Sequence, residues 1–200
     1  MKKTRNLLLL VMLFGAFAGC RTIREIKNFA KSEFRIKEID RLFLGDVNLR
    51  DVQALSDLNL SDAARLGKAY QSGNLPLSIT YLVEIRNPND QTGALEKTDW
   101  ILELDETDIV TGTTNQRVEV APNGGLGILP ITVSTDVREL LKKESLASMV
   151  NLIAAIKGDN QEQSRFRLKI KPRFIIAGIT IGWPGYIKVG KTFESSREVK

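Results

Sequence analysis

The sequence predicts a mainly β protein, an antiparallel β-sandwich with one long helix over about 136–157 and one short helix over about 61–72. Three observations predict it. Apolar side chains recur at every second position in several short runs. The cleanest is Leu75, Leu77, Ile79, Tyr81, Val83 and Ile85, with Ser78, Thr80, Glu84 and Arg86 between them. Turn sequences separate these runs, and two stretches carry helical spacing instead.

Before the first strand the chain reads as an export leader and a tether. Lys2, Lys3 and Arg5 form a positive start, and Leu7–Phe17 is an apolar run. That run is shorter than the roughly 20 residues a membrane-spanning helix needs, but it suits the core of a signal peptide. Phe17-Ala18-Gly19-Cys20 follows, and Cys20 is the chain's one cysteine. The tetrapeptide resembles the lipobox of bacterial lipoproteins, with Phe17 where Leu is usual. Cleavage after residue 19 and acylation of Cys20 are expected, with palmitate-like chains holding the protein on a membrane. By resemblance to Gram-negative lipoproteins, the lack of Asp at position 21 implies the outer membrane. Residues 20–33 read as the acylated cysteine and a tether. Ile23, Ile26, Phe29 and Ala30 share one helical stripe, so a basic amphipathic segment on the bilayer and a plain spacer both stay open.

Composition narrows the function. The chain has 200 residues, 42% of them hydrophobic and 26% charged, which are globular values. Three of the 29 basic residues lie in the leader, so 26 face 24 carboxylates in the rest. A balance so near neutral argues against nucleic acid as a partner. Histidine is absent, which excludes histidine acid–base catalysis and cysteine–histidine zinc sites. A single cysteine also means no intrachain disulfide, so packing must hold the fold together. No metal or other cofactor is expected.

The elements follow in order. Phe34–Leu44 reads as a strand interrupted near Glu38. Residues 61–72 read as a short helix capped by Ser61 and ended by Gly73. The alternating run 75–85 stops at Asn87-Pro88-Asn89-Asp90, a turn sequence. Trp100, Leu102 and Leu104 alternate with Asp99 and Glu103 in a half-buried strand. Asp105–Asp108 turns the chain into Ile109–Gly112, and Arg117–Val120 continues the pattern. Asn123-Gly124-Gly125 is a further turn before Ile128–Ser134. Asp136 caps the long helix, whose apolar side carries Val137, Leu140, Leu141, Met149, Val150, Ile153 and Ala154. Phe166, Leu168 and Ile170 share one face of a later strand. Trp183-Pro184-Gly185-Tyr186 is a turn, and Ile187–Phe193 is the expected final strand.

The order of these landmarks carries a resemblance. A strand ending in Asn87-Pro88-Asn89, a strand bearing Trp100, and Pro184-Gly185-Tyr186 before the last strand together resemble the late embryogenesis abundant group 2 (LEA type 2) family. Its domain is named WHy, for water stress and hypersensitive response. The bacterial lipoprotein branch is the most similar. The likeness runs from Phe34 to Phe193, giving a domain over 34–194 and a tail over 195–200. It implies an immunoglobulin- or fibronectin-III-like sandwich, no catalytic residues, and a protective role in water stress. An insert at about 48–73 departs from the plant members.

Three sets of residues are candidate sites. Asn87, Pro88 and Asn89 suit a structural turn, because Pro88 fixes φ and the Asn side chains bond nearby backbone groups; a ligand loop ranks behind. Asp105, Glu106 and Asp108 gather carboxylates at a turn, as Ca²⁺ loops and glycosidases do, but an acidic hairpin turn needs nothing more. Arg165, Arg167, Lys169, Lys171 and Arg173 alternate with Phe166, Leu168 and Ile170, so a strand puts all five cations on one face, extended by Lys188. That face suits anionic lipid, lipopolysaccharide or an acidic envelope protein. Equally it suits a solvated face neutralised across the sheet by Glu84, Glu103 or Glu119, the reading that ranks ahead. The function expected is therefore a non-catalytic, lipid-anchored module of a Gram-negative envelope, protective or binding and stress-related. An envelope assembly or adhesion subunit binding a protein or glycan is the alternative, and a carboxylate-only hydrolase ranks last.

Overall fold

The computed structural model describes residues 32–90, 92–137, 146–154, 156, 166–176 and 179–195. The leader, Cys20, most of the tether, Arg165 and residues 196–200 lie outside the described residues. Two antiparallel sheets pack face to face. The first has the order β12-β1-β3-β8, from Glu194–Ser195, Glu33–Leu44, Pro76–Asn87 and Gly125–Asp136. The short β2, Val47–Asn48, also pairs with β1. The second has the order β10-β9-β5-β6, from Ile179–Gly182, Phe166–Ile176, Lys97–Leu104 and Thr107–Thr114. In that sheet β11, Ile187–Val189, also pairs with β9. At one end β4, Gly93–Leu95, pairs with β7, Val118–Val120. The expected antiparallel sandwich is what the chain forms.

Period-two alternation builds the core. Leu77, Ile79, Tyr81, Val83 and Ile85 of β3 point inward with Leu129, Ile131 and Val133 of β8. They meet Trp100, Leu102 and Leu104 of β5 and Phe166, Leu168 and Ile170 of β9. In β1 the expected interruption is a pair of bulges, one between Ile36 and Glu38 and one between Ile39 and Arg41. Each inserts one residue, and a single insertion would turn every later side chain to the other face. Two restore the parity, so Phe34, Ile36, Leu42 and Leu44 all reach the core.

Residues 48–73 fold back onto this core rather than projecting from it. Leu49, Val52 and Leu66 are buried. Helix α1 spans Leu60–Ser72. Its cap is Asn59, not the expected Ser61: the Asn59 side chain accepts the Asp62 N–H at 2.8 Å. Gly73 ends it in the left-handed conformation, φ 81°, where glycine meets no Cβ penalty. Of the expected helix 136–157, the structure describes Val137, already helical, and α2, Leu146–Ala154. Asp136 closes β8, where its carboxylate accepts the Leu75 N–H at 3.1 Å. Met149, Val150 and Ile153 of α2 join Leu66 in the same core.

The C-terminal segment corrects an expectation. Ile187–Phe193 is not one strand: β11 ends at Val189 in the second sheet, and β12 belongs to the first. Between them the chain crosses the sandwich, and the Ile36 N–H donates to the Gly190 carbonyl at 2.6 Å. This segment therefore ties the two sheets together.

Trp100 lies against Gly112 of the neighbouring strand, its direct partner in register. A Cβ on Gly112 would stand 2.2 Å from the indole ring. In denaturant unfolding of the protein, Trp100→Ala should cost about 3–5 kcal/mol, and Gly112→Ala about 1–3 kcal/mol by overpacking. A change under about 1 kcal/mol for Trp100→Ala would contradict its place between the sheets.

Candidate functional site

The outer face of the second sheet collects the charged residues. Because Phe166, Leu168 and Ile170 point inward, Arg167, Lys169, Lys171 and Arg173 point outward from β9. The same logic on β5 turns Lys97, Asp99, Ile101 and Glu103 outward beside them. Four of the five expected cations thus share one face; Arg165 lies outside the described residues.

Acids meet most of these cations. Lys169 Nζ bonds Asp108 Oδ1 at 2.7 Å and also reaches Glu103. Arg167 Nη1 stands 3.8 Å from Glu103 Oε1 and 3.7 Å from Glu106 Oε1. Arg173 pairs with Asp99, whose other oxygen accepts the Thr113 hydroxyl at 2.8 Å. Lys171 instead lies over the Tyr186 ring, its Nζ 5.7 Å from the centroid. Lys188 is exposed, directly opposite Lys169 in register.

The acids are the buried members of these pairs. Glu103 is 4% exposed and Asp99 7%, although both point away from the core. The longer cationic side chains fold over them, keeping their own heads near water. Glu103 Oε1 has no hydrogen-bond donor in reach among the described residues. Its charge is balanced only by nearby cations, so each cation matters more there than at an open surface. The hydrogen bonds it donates, first to Asp108 and then to Glu103, hold the Lys169 ammonium above its ordinary pKa, against the opposing effect of burial. A raised lysine pKa stabilises fully below the unfolded value of about 10.4 and is lost as pH climbs through the folded one. Titration of Lys169 therefore leaves the pairing intact in the neutral range and breaks it in strong alkali.

Sequence reasoning named Glu84, Glu103 and Glu119 as possible neutralising partners. Glu103 takes that part. Glu84 lies on the first sheet, where it accepts the Arg35 Nε–H at 2.8 Å. Glu119 accepts the Arg117 Nε–H at 2.9 Å on β7. Asp99 was missed as a partner, though it alternates with Trp100 as Glu103 alternates with Leu102. Asp108 had been grouped with Asp105 and Glu106. Those two sit in a tight turn at φ 48° and 64°, while Asp108 stands opposite Glu103 in register and serves Lys169. Among the described residues, no group of three or more Asp, Glu, His or Cys could hold a metal ion.

In Asn87-Pro88-Asn89 the two asparagines are buried architecture, with Pro88 exposed between them. Asn87 Nδ2 donates to the Val120 carbonyl at 3.1 Å, and Asn87 Oδ1 accepts the Asn89 side-chain amide at 2.7 Å. The Asn87 and Asn89 carbonyls accept the N–H groups of Gly124 and Asn123, each at 2.7 Å. Asn123 and Gly124 have φ 57° and 86°, a left-handed pair that aims both N–H groups at the tripeptide. Sequence reasoning also missed Phe193, which is sandwiched on the first sheet between Arg35 and Arg86, each guanidinium carbon 4.3 Å from the ring centroid.

A scan against protein families finds no match, and no curated protein matches. Among solved structures, the chain is similar to a crystal structure of a protein from Archaeoglobus fulgidus. The identity is 18%, the alignment covers 62% of this chain and 88% of that one, and the TM-score is 0.36. It is also similar to a solution structure described as a late embryogenesis abundant (LEA) protein. There the identity is 14%, with 88% and 81% covered and a TM-score of 0.31. At those scores neither comparison decides a family or an activity.

Asn87→Ala should cost about 1–3 kcal/mol, the price of buried backbone and amide groups left without a partner. Lys188→Met should stay within about 0.5 kcal/mol. Equal losses in urea unfolding would contradict the distinction between the buried turn and the exposed lysine.

Proposed function

We propose that this chain is a lipid-anchored, non-catalytic β-sandwich module of a Gram-negative cell envelope, on the outer membrane, with a protective or binding role. The observation that carries the anchor is the place of Cys20. The chain's single cysteine stands directly behind a basic start, an apolar run and the small residues Ala18 and Gly19. In this reading acyl chains on Cys20 supply the attachment; no described helix is long and apolar enough to cross a membrane.

Two observations support a non-catalytic role. A carboxylate-only hydrolase needs one acid poised to give a proton and one free to attack or activate water. On the charged face, Glu103 and Asp108 converge on Lys169, and Asp99 is held by Arg173 and Thr113. Each of these carboxylates is already engaged by a cation, which leaves none of them free for the role an acid–base pair requires. The protective reading rests on the landmarks shared with the LEA type 2 family: Asn87-Pro88-Asn89 closes β3, Trp100 lies in β5, and Pro184-Gly185-Tyr186 leads into β11.

Metabolic labelling with a palmitate analogue tests the anchor. The full-length chain should take up label and sediment with membranes, whereas Cys20→Ser should take up none and either leave the membrane or keep its leader. An unlabelled wild-type chain would overturn the proposal.

A further inference from the structure

We propose that Lys171, Tyr186 and Lys188, with Trp183 beside them, form a docking edge that rests on the anionic phospholipid headgroups of the membrane holding Cys20. The inference builds on the anchor reading and narrows which part of the charged face meets lipid.

Charge balance singles out this edge. Across β9 and β5 the acids are already engaged: Glu103 and Asp108 with Lys169, Glu106 and Glu103 with Arg167, Asp99 with Arg173. Asp99 is the residue directly opposite Lys171, yet it is turned to Arg173 and Thr113. Among the described residues, no ion pair neutralises Lys171 or Lys188. The face is thus polarised. Its β5–β6 side is internally neutral, and its β9–β11 side keeps two ammonium groups for an outside anion.

The aromatic residues give that side an interfacial character. Trp183 and Tyr186 flank Pro184-Gly185 where the chain passes from β10 to β11, and both are only partly buried. The Trp183 N–H holds this loop to the Pro172 carbonyl at 3.0 Å, next to Lys171. Amphipathic rings beside lysines suit the boundary between headgroups and water, where one end of the ring is wet and the other apolar.

The leash points the same way. Eleven residues, 21–31, separate Cys20 from Ser32, a reach of at most about 40 Å, comparable to the length of a twelve-residue strand. β1 begins at Glu33, opposite Arg86 and one residue from the end of β3 at Asn87. The chain then runs through β4 into the start of β5, where Lys97 faces Arg173. Both sheets therefore bring to the leashed end of the sandwich the half of β9 that carries Lys171 and the Trp183 loop. An anchored domain presents that end to the bilayer, and each nearby Lys contributes attraction that salt screens.

The test uses the full acylated protein reconstituted into vesicles containing a headgroup spin-labelled phospholipid. Tryptophan emission is the readout: Trp100 is buried in the core, so contact quenching reports Trp183. Quenching should be at least twofold stronger in vesicles with one-third phosphatidylglycerol than in pure phosphatidylcholine. Lys171→Gln with Lys188→Gln, or 1 M salt, should remove at least half of that difference. Lys68→Gln with Arg41→Gln should leave it unchanged. Equal quenching in the two vesicle types, or an equal loss from both pairs of substitutions, would overturn the proposal. Acyl mass on Cys20 from the same preparation separates the two claims. A chain without acyl groups contradicts anchor and docking together, whereas an acylated chain with no anionic preference contradicts docking alone.

Discussion

Everything in this molecule depends on burying one face of each of two antiparallel sheets, because one cysteine leaves no disulfide to share the load. Apolar surface removed from water is the dominant favourable contribution to folding, and alternation along β1, β3, β5, β8 and β9 delivers it to one continuous cluster. That demand explains the irregular features as well. The double bulge in β1 keeps the correct residues inside, and Gly112 leaves room for the indole of Trp100. Helices α1 and α2 close the cluster with Leu66, Met149, Val150 and Ile153, and the Asn87 turn ties the opposite end of β3 to the β7–β8 connection.

The same alternation sends charge outward, and the outward faces are ordered by pairing. On the first sheet Arg35 and Arg86 face Glu84 and Glu33 and clamp Phe193 between them. On the second, Glu103 and Asp99 sink beneath lysine and arginine stems. A carboxylate this buried is tolerated only beside cations, since unpaired it would lose hydration with nothing in return. The basic strand therefore serves the sheet first. Among its described cations, Lys171 lies over Tyr186 with no ion pair, and it is the one that the proposed docking edge uses.

How much of this was legible in the sequence follows from the range of each interaction. Strands β3, β5 and β9 were readable because alternation is local: Ile79, Tyr81 and Val83 declare their face within five residues. The turns at 87–90, 105–106 and 123–125 were readable from their own chemistry. Crossing of the last segment from β11 to β12 was not, since nothing local says that Val189 and Glu194 pair with different sheets. The cap of α1 was misplaced by two residues because Asn59 and Ser61 both suit a helix start, and helix ends commonly shift by one or two residues. For the charged face, sequence gave the side on which the cations lie. Their partners depend on register between strands far apart in the chain, as with Lys169 and Asp108, and no local pattern encodes that.

The most direct test of the account is a double-mutant cycle on Glu103 and Lys169, read by denaturant unfolding. If the outer face is a paired lattice over a buried acid, Glu103→Gln, Lys169→Met and the double variant should show a coupling of at least about 1 kcal/mol, with the double variant losing less than the two single losses combined. Additivity within about 0.3–0.5 kcal/mol, the behaviour of independent sites, would contradict it.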